Sequence, residues 1–256
     1  MLKVDKLTFR YGRHTPMVLN GVNLELQDGQ IGILLGKNGS GKTTLFKNLL
    51  GLHAPSGGSA LFDGENLFQM PRRERARRIA YVPQHIHFGA LTVFDSVLMG
   101  RVSYFGLRAG QEDYAVVERI LREMELESFA HRNAEDLSGG EKQKIAIARA
   151  MAQEPKLLIF DEPTGNLDIA NEHLIVREAK KLAREKNIGI LSSLHDLNQA
   201  MDFGDRFFFM KDGIIKYSGG KETFTPEIIY DIFGIHVKIA EVDGQKIILG
   251  GQPYEN

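Results

Sequence analysis

One stretch constrains this chain more than any other. The short apolar run Ile31–Leu35 leads directly into Gly36-Lys37-Asn38-Gly39-Ser40-Gly41-Lys42-Thr43, and Thr44 opens the helical pattern Leu45, Phe46, Leu49, Leu50. Five apolar residues in a row, bounded by turn residues, read as a strand buried on both faces. The segment fits G-x-x-x-x-G-K-[ST] in the context that motif requires, with a strand before it and a helix after it. Its glycines let consecutive backbone N–H groups turn inward around an anion. The helix start adds a positive terminus aimed at the same place. Lys42 supplies a mobile charge for the β- and γ-phosphates of a nucleotide, and the Thr43 hydroxyl offers a ligand to Mg²⁺.

A second segment, Leu157-Leu158-Ile159-Phe160-Asp161-Glu162, runs four apolar residues into two acids. That pattern sets carboxylates at the C-terminal edge of a buried strand, where α/β sheets hold ligands. Asp161 is suited to Mg²⁺, directly or through water. Glu162 is suited to orienting or deprotonating a water in line with a γ-phosphate. A third segment, Leu137-Ser138-Gly139-Gly140-Glu141, precedes a helical pattern over 142–152. Ser138 reads as an N-cap and the two glycines leave backbone N–H groups uncovered, which makes a second anion-binding helix terminus. On physical grounds alone an ordinary capped helix is the better explanation of that segment.

The rest of the chain supports a mixed α/β core. Residues 2–9 and 22–26 alternate as strands, and apolar runs recur at 79–82, 157–160, 188–194 and 207–210. Helical patterns occupy 171–186 and 226–233, and Asp212-Gly213 and Asp243-Gly244 read as hairpin turns. Between about 86 and 153 the strand signal stops. Val116, Val117, Ile120, Leu121 and Met124 recur at helical spacing, so an α-helical subdomain is inserted there. The expected arrangement is one domain over 1–256, with a core lobe of about 1–85 and 154–256. At 256 residues, 43% of them hydrophobic, the chain can bury a sizeable core. With 32 basic against 33 acidic residues it is not built to coat nucleic acid. The arginine run Arg72, Arg73, Arg75, Arg77 and Arg78, interrupted by Glu74, reads as a solvated helix face. No cysteine is present, which excludes disulfides and thiolate chemistry. No apolar run reaches the roughly 18 residues of a membrane span, and the first residues lack the apolar core of a signal peptide. His85 and His87, without further ligands nearby, read as surface residues rather than a metal site.

In this order the motifs resemble those of the nucleotide-binding subunit of ATP-binding cassette (ABC) transporters, over nearly the whole chain. LSGGE is similar to that family's signature motif, a far more specific match than the phosphate loop alone. The resemblance implies a P-loop NTPase fold in which an antiparallel β subdomain joins the mixed core. It also implies roles for further residues. Tyr11 in FRYG resembles the aromatic that stacks on adenine. Gln84 in YVPQ resembles the glutamine that touches Mg²⁺ and water and links the two lobes. Asn166-Leu167-Asp168 resembles the D-loop, and His195 in SSLHD the switch histidine near the γ-phosphate. The catalytic set is then Lys42, Gln84, Glu162 and His195, with Mg²⁺ held by Thr43, Gln84 and Asp161. ATP is held by Tyr11, Gly36–Thr44 and Asp168, and by Ser138, Gly139, Gly140 and Glu141 of a second copy in a head-to-tail homodimer. Further implied partners are transmembrane permease subunits and, indirectly, an extracytoplasmic substrate-binding protein. The implied location is the cytoplasmic face of the membrane.

DNA-maintenance members of this superfamily carry long coiled coils between the two ATP motifs, and translation factors carry two cassettes. This chain has no heptads between Lys42 and Asp161 and one copy of each motif, which leaves the transporter branch. Two regions, Thr92–Arg101 and Thr225–Gly244, resemble importers of iron–siderophore complexes, haem and cobalamin. Ser103-Tyr104 departs from their common Pro-His, and GNLD also occurs in lipoprotein-releasing exporters. The alternatives are such an exporter and a zinc or manganese importer.

Overall fold

The protein is described from a computed structural model covering residues 1–164, 169–242 and 244–253. In chain order the elements are β1 (Leu2–Phe9), β2 (Leu19–Leu26), β3 (Ile31–Leu35), α1 (Lys42–Leu49), β4 (Gly57–Phe62), β5 (Glu65–Asn66), α2 (Arg72–Arg78) and β6 (Ile79–Val82). Helices α3 (Val93–Leu98), α4 (Gln111–Glu123) and α5 (Gly139–Met151) follow. Then come β7 (Leu157–Asp161), α6 (Ile169–Lys186), β8 (Gly189–Ser193), α7 (Leu197–Phe203), β9 (Arg206–Lys211) and β10 (Ile214–Gly219). The chain closes with α8 (Pro226–Phe233), β11 (Ile235–Val242) and β12 (Gln245–Pro253).

β1, β2, β4 and β5 form an antiparallel sheet in the order β2-β1-β4-β5, and six strands form a second sheet in the order β10-β9-β3-β8-β7-β6. In the larger sheet β9, β3, β8, β7 and β6 run parallel, with β10 antiparallel at the edge. The parallel strands β3, β7 and β8 are buried at every residue, including the polar Asp161, Ser192 and Ser193 that end β7 and β8. β1 and β2 alternate buried and open positions, so each offers one face to the core. One apolar cluster lies between the two sheets around Leu2, Phe46, Phe62 and Phe208. The other continues from the large sheet into the helices between β6 and β7 through Val97, Ile120, Leu121 and Ile147. No strand occurs among the described residues of that helical stretch.

The Asp212-Gly213 turn has positive φ at both positions (50° and 77°), which a two-residue hairpin between right-twisted strands requires. Asp243 lies outside the described residues, although β11 and β12 pair antiparallel on either side of it.

The arginine run corrects an expectation. It does form α2, exposed at Arg72 and Arg73, but the helix is only in part a solvated face. Arg73 donates from Nε to Ser103 O (2.6 Å) and from Nη2 to Tyr104 O (2.9 Å), and Arg77 Nε donates to Ser103 O (3.0 Å). Arg78 pairs with Glu65 and Glu74, and Arg75 is buried. Carbonyls at the end of a turn supply the counter-dipoles that a charge count along the sequence does not display.

Candidate ATP site

The loop after β3, the acids after β7, the residues after β8 and the glutamine after β6 all emerge at the C-terminal ends of parallel neighbours. Topology alone therefore gathers Lys42, Gln84, Asp161, Glu162 and His195 at one sheet edge. Lys42 is buried, and its Nζ donates to Gly36 O (2.7 Å) and Lys37 O (3.2 Å), spanning the loop. Burial lowers its pKa, while the nearby charges of Glu162 and Asp161 act in the opposite direction. Gly41 sits at φ 109°, and a Cβ there would fall 2.8 Å from Met210 Cε and 3.1 Å from Val18 O. Only glycine allows α1 to start where it does.

Asp161 is fixed from three sides. Ser193 Oγ donates to its Oδ1 (2.9 Å), Tyr81 OH donates to Oδ2 (3.3 Å), and Thr43 Oγ1 lies 3.5 Å from Oδ1. Burial, then the Asp161 charge, raises the Tyr81 pKa, which keeps that hydroxyl a donor. Glu162 has positive φ (53°), uncommon for a residue with a side chain. Its N–H donates to Ser193 Oγ (3.0 Å), which holds that turn. Gln84 Nε2 donates to Glu162 Oε2 (2.5 Å), and His195 Nε2 lies 2.5 Å from Glu162 Oε1. The two oxygens of one carboxylate thus meet residues from two other strands.

Tyr11 is 59% exposed. Its ring packs edge-on against Phe9 (5.0 Å between centroids) and His53 (5.4 Å), and its hydroxyl lies 3.2 Å from Thr44 Oγ1. Ser138 caps α5 reciprocally with Glu141: the Glu141 N–H points to Ser138 Oγ (3.4 Å), and Ser138 N donates to Glu141 Oε2 (2.8 Å). Ser138 and Gly139 are exposed, and Gly140 packs against Asn171 with no room for a Cβ. No hydrogen bond among the described residues joins Ser138–Glu141 to the phosphate loop. Asn166, Leu167 and Asp168 lie outside the described residues. His85 and His87 are exposed, and no cluster of metal-binding His, Asp and Glu occurs among the described residues.

Tyr81 and Ser193 are site residues that the sequence reading does not single out. The available signal was polarity inside buried strands: a hydroxyl two residues before a Pro-Gln, and a Ser-Ser pair ending an apolar run.

The groups present fit a nucleotide with magnesium. Ser40 Oγ, inside the loop, is buried without a hydrogen-bond partner among the described residues, an orphan that a phosphate oxygen would satisfy. Thr43, Asp161 and Gln84 offer the hard oxygens that Mg²⁺ takes.

The family comparison matches residues 19–165 to "ABC transporter". An uncharacterized ABC transporter ATP-binding protein of Methanocaldococcus jannaschii is 35% identical, covering 97% of each chain. The petrobactin import ATP-binding protein of Bacillus anthracis is 34% identical over 93% of this chain and 89% of the relative. Other relatives are named for phosphonate, sulfate or thiosulfate, spermidine or putrescine, and hemin import. Among solved structures, a transporter assigned to the metal-chelate ABC type, facing inward, matches with TM-score 0.82 and 29% identity over 99% of this chain and 98% of that one. A cassette solved as a dimer with ADP and Pi matches with TM-score 0.75 and 30% identity over 86% and 98%.

Proposed function

The chain belongs to the ATP-binding ATPase subunits of ABC transporters, and from that premise we propose that it hydrolyses ATP at the interface of a head-to-tail homodimer to drive import of a metal chelate. The observation that carries the reading is the meeting of Gln84, Glu162 and His195 beside Lys42 and Asp161, with a second open helix terminus, at Ser138, on another part of the chain. Two anion-binding helix ends that share no hydrogen bond among the described residues of one chain would close on one nucleotide when a second copy supplies the other end.

Each residue then has a physical task. Lys42 neutralises charge on the β- and γ-phosphates, and the loop amides hold them. Thr43, Asp161 and Gln84 would hold Mg²⁺, which, when bound, supplies further neutralisation of the phosphates. Glu162 accepts the proton of the attacking water, its carboxylate held at both oxygens by Gln84 and His195. Tyr11, exposed at the surface, would stack on the adenine, and Asp168 would contribute across the dimer. The proposed partners are multi-span permease subunits, docking near residues 84–105, and indirectly a chelate-binding protein. The proposed location is the cytoplasmic face of the membrane; no helix among the described residues is long and apolar enough to cross it.

Chelate import is favoured over the other cargoes by the Thr92–Arg101 and Thr225–Gly244 likenesses, by the petrobactin relative and by the metal-chelate-type structure. The test is co-purification with the membrane partner, followed by ATPase assays with iron chelates, haem and corrinoids. Stimulation that requires cargo, binding protein and permease together, and that disappears with Glu162→Gln, is expected. A four-span partner with no response to any of these cargoes would overturn the import reading and leave the ATPase reading standing.

A further inference from the structure

The C-terminal unit of α8 and the β11–β12 hairpin is anchored to the large sheet and touches the site edge at two points. Asp231 of α8 accepts from Tyr217 OH (3.0 Å) and from Lys211 Nζ (3.0 Å), fixing the helix to β10 and β9. Val237, Ile239 and Ile248 of the hairpin pack against the main core. At one contact, Gly234, between α8 and β11, has φ 70° and lies against Lys37 of the phosphate loop: a Cβ there would stand 3.2 Å from Lys37 Nζ. At the other, Asn198 Nδ2 donates to Ile248 O (3.1 Å) while Ile248 N donates to Asn198 Oδ1 (2.8 Å). The side-chain amide thus pairs with a strand residue as a neighbouring strand would. Asn198 stands three residues after His195, and Asp196 between them caps α7 by accepting from Gln199 N (2.7 Å). The path from the hairpin to the imidazole is therefore one hydrogen-bonded turn.

We propose that Asn198 is a positioning residue for ATP hydrolysis: by tying α7 to β12, it holds His195 against Glu162 and makes the C-terminal hairpin a fixed reference for the catalytic edge. This rests on the reading of His195 given above. α7 spans seven residues, too few for a helix to be rigid by itself, so its orientation depends on what it is tied to. Small displacements at reacting groups are costly; about 1 Å can lower a rate by roughly 100-fold.

The experiment uses the full chain with Asn198→Ala, Asn198→Asp, His195→Ala and the Asn198→Ala/His195→Ala pair. Steady-state ATPase kinetics, melting temperature and the NMR signals of the His195 ring are recorded for each. Asn198→Ala is expected to lower kcat by about ten-fold with KM for ATP changed by less than about two-fold. Asn198→Asp keeps the acceptor for Ile248 N–H and loses the donor, so it should fall between wild type and alanine. The His195 ring signals should move in both, and Asn198→Ala should add nothing in the His195→Ala background. A lowered melting temperature with unchanged kcat would overturn the proposal, as would an equal loss of rate with and without His195. If His195→Ala keeps wild-type turnover, the reading of His195 falls and the proposal falls with it. If His195→Ala is inactive while Asn198→Ala is normal, the proposal alone falls.

Discussion

Lys42 is held by two carbonyls of its own loop while two carboxylates lie close enough to act on its charge. A buried ammonium without its oxygen partners would be strongly disfavoured, so the loop is shaped to keep this cation in place. Lys42→Ala should abolish turnover and weaken ATP binding, measurable by steady-state ATPase assay and nucleotide titration of the purified variant; near-normal turnover would contradict the phosphate-loop reading. Glu162 makes a different demand. Its carboxylate is oriented from both oxygens, and an amide would preserve the shape but could not take the proton. Glu162→Gln should retain ATP affinity and lower kcat on the order of 10²–10³-fold. At this scale the sequence was legible in placement: Lys42, Asp161 and Glu162 come together at one sheet edge, as their motifs lead one to expect. Tyr81 and Ser193 were not legible, because a hydroxyl in an apolar run has no distinctive spacing, and its partner Asp161 is 80 residues from one and 32 from the other.

Among the elements, the helical insertion is tied together by a carboxylate that no motif marks. Glu135 Oε1 accepts from Phe88 N (2.5 Å) and Gly89 N (3.3 Å), and its Oε2 pairs with Lys142 on α5 (2.9 Å). The stretch after Gln84 and the first turns of the Ser138 helix therefore share one clasp. Lys142, then the Phe88 amide, lowers the Glu135 pKa from 4.5 to about 2. A depressed carboxylate stabilises the fold above its unfolded pKa and loses that contribution as pH falls through the folded value. The clasp should hold above about pH 4.5 and weaken toward pH 2. Urea melts of wild type and Glu135→Gln at steps between pH 6 and pH 3 should converge on acidification; a constant gap would contradict the assignment. Arg101 pins the same insertion from inside. It is buried, pairs with Asp113 (3.1 Å) and Glu154 (2.8 Å), and lies 3.6 Å from the centre of the Tyr104 ring. Arg101→Ala leaves Asp113 buried beside an empty space and should cost about 3–5 kcal/mol in a denaturant melt. Strong periodicity made β3, β6 and α8 legible to the residue. β4 and β5 were missed, since Gly57-Gly58-Ser59 carries little apolar signal, β4 is stabilised by pairing with distant β1, and β5 is two residues that pair, among the described residues, only with β4. The charge run of α2 misled for a related reason: the carbonyls it grips lie about 30 residues away.

For the whole molecule, the proposal turns on two helix N-termini in one chain that share no hydrogen bond among the described residues. α1 starts at the edge of the large sheet, whereas α5 presents Ser138 and Gly139 to the outside from the helical insertion. Ser138→Arg should leave ATP affinity of the monomer nearly intact and disable hydrolysis, because the bulky cation meets the other copy's nucleotide; an affinity loss as severe as that of Lys42→Ala would contradict that placement. The account's central claim is that ATP joins two copies, and the most direct measurement is the molar mass of Glu162→Gln by size-exclusion chromatography with light scattering, run without nucleotide and with Mg-ATP. A monomer that becomes a dimer only with Mg-ATP is the predicted result. A monomer under saturating Mg-ATP, or a dimer equally abundant without nucleotide, would contradict it.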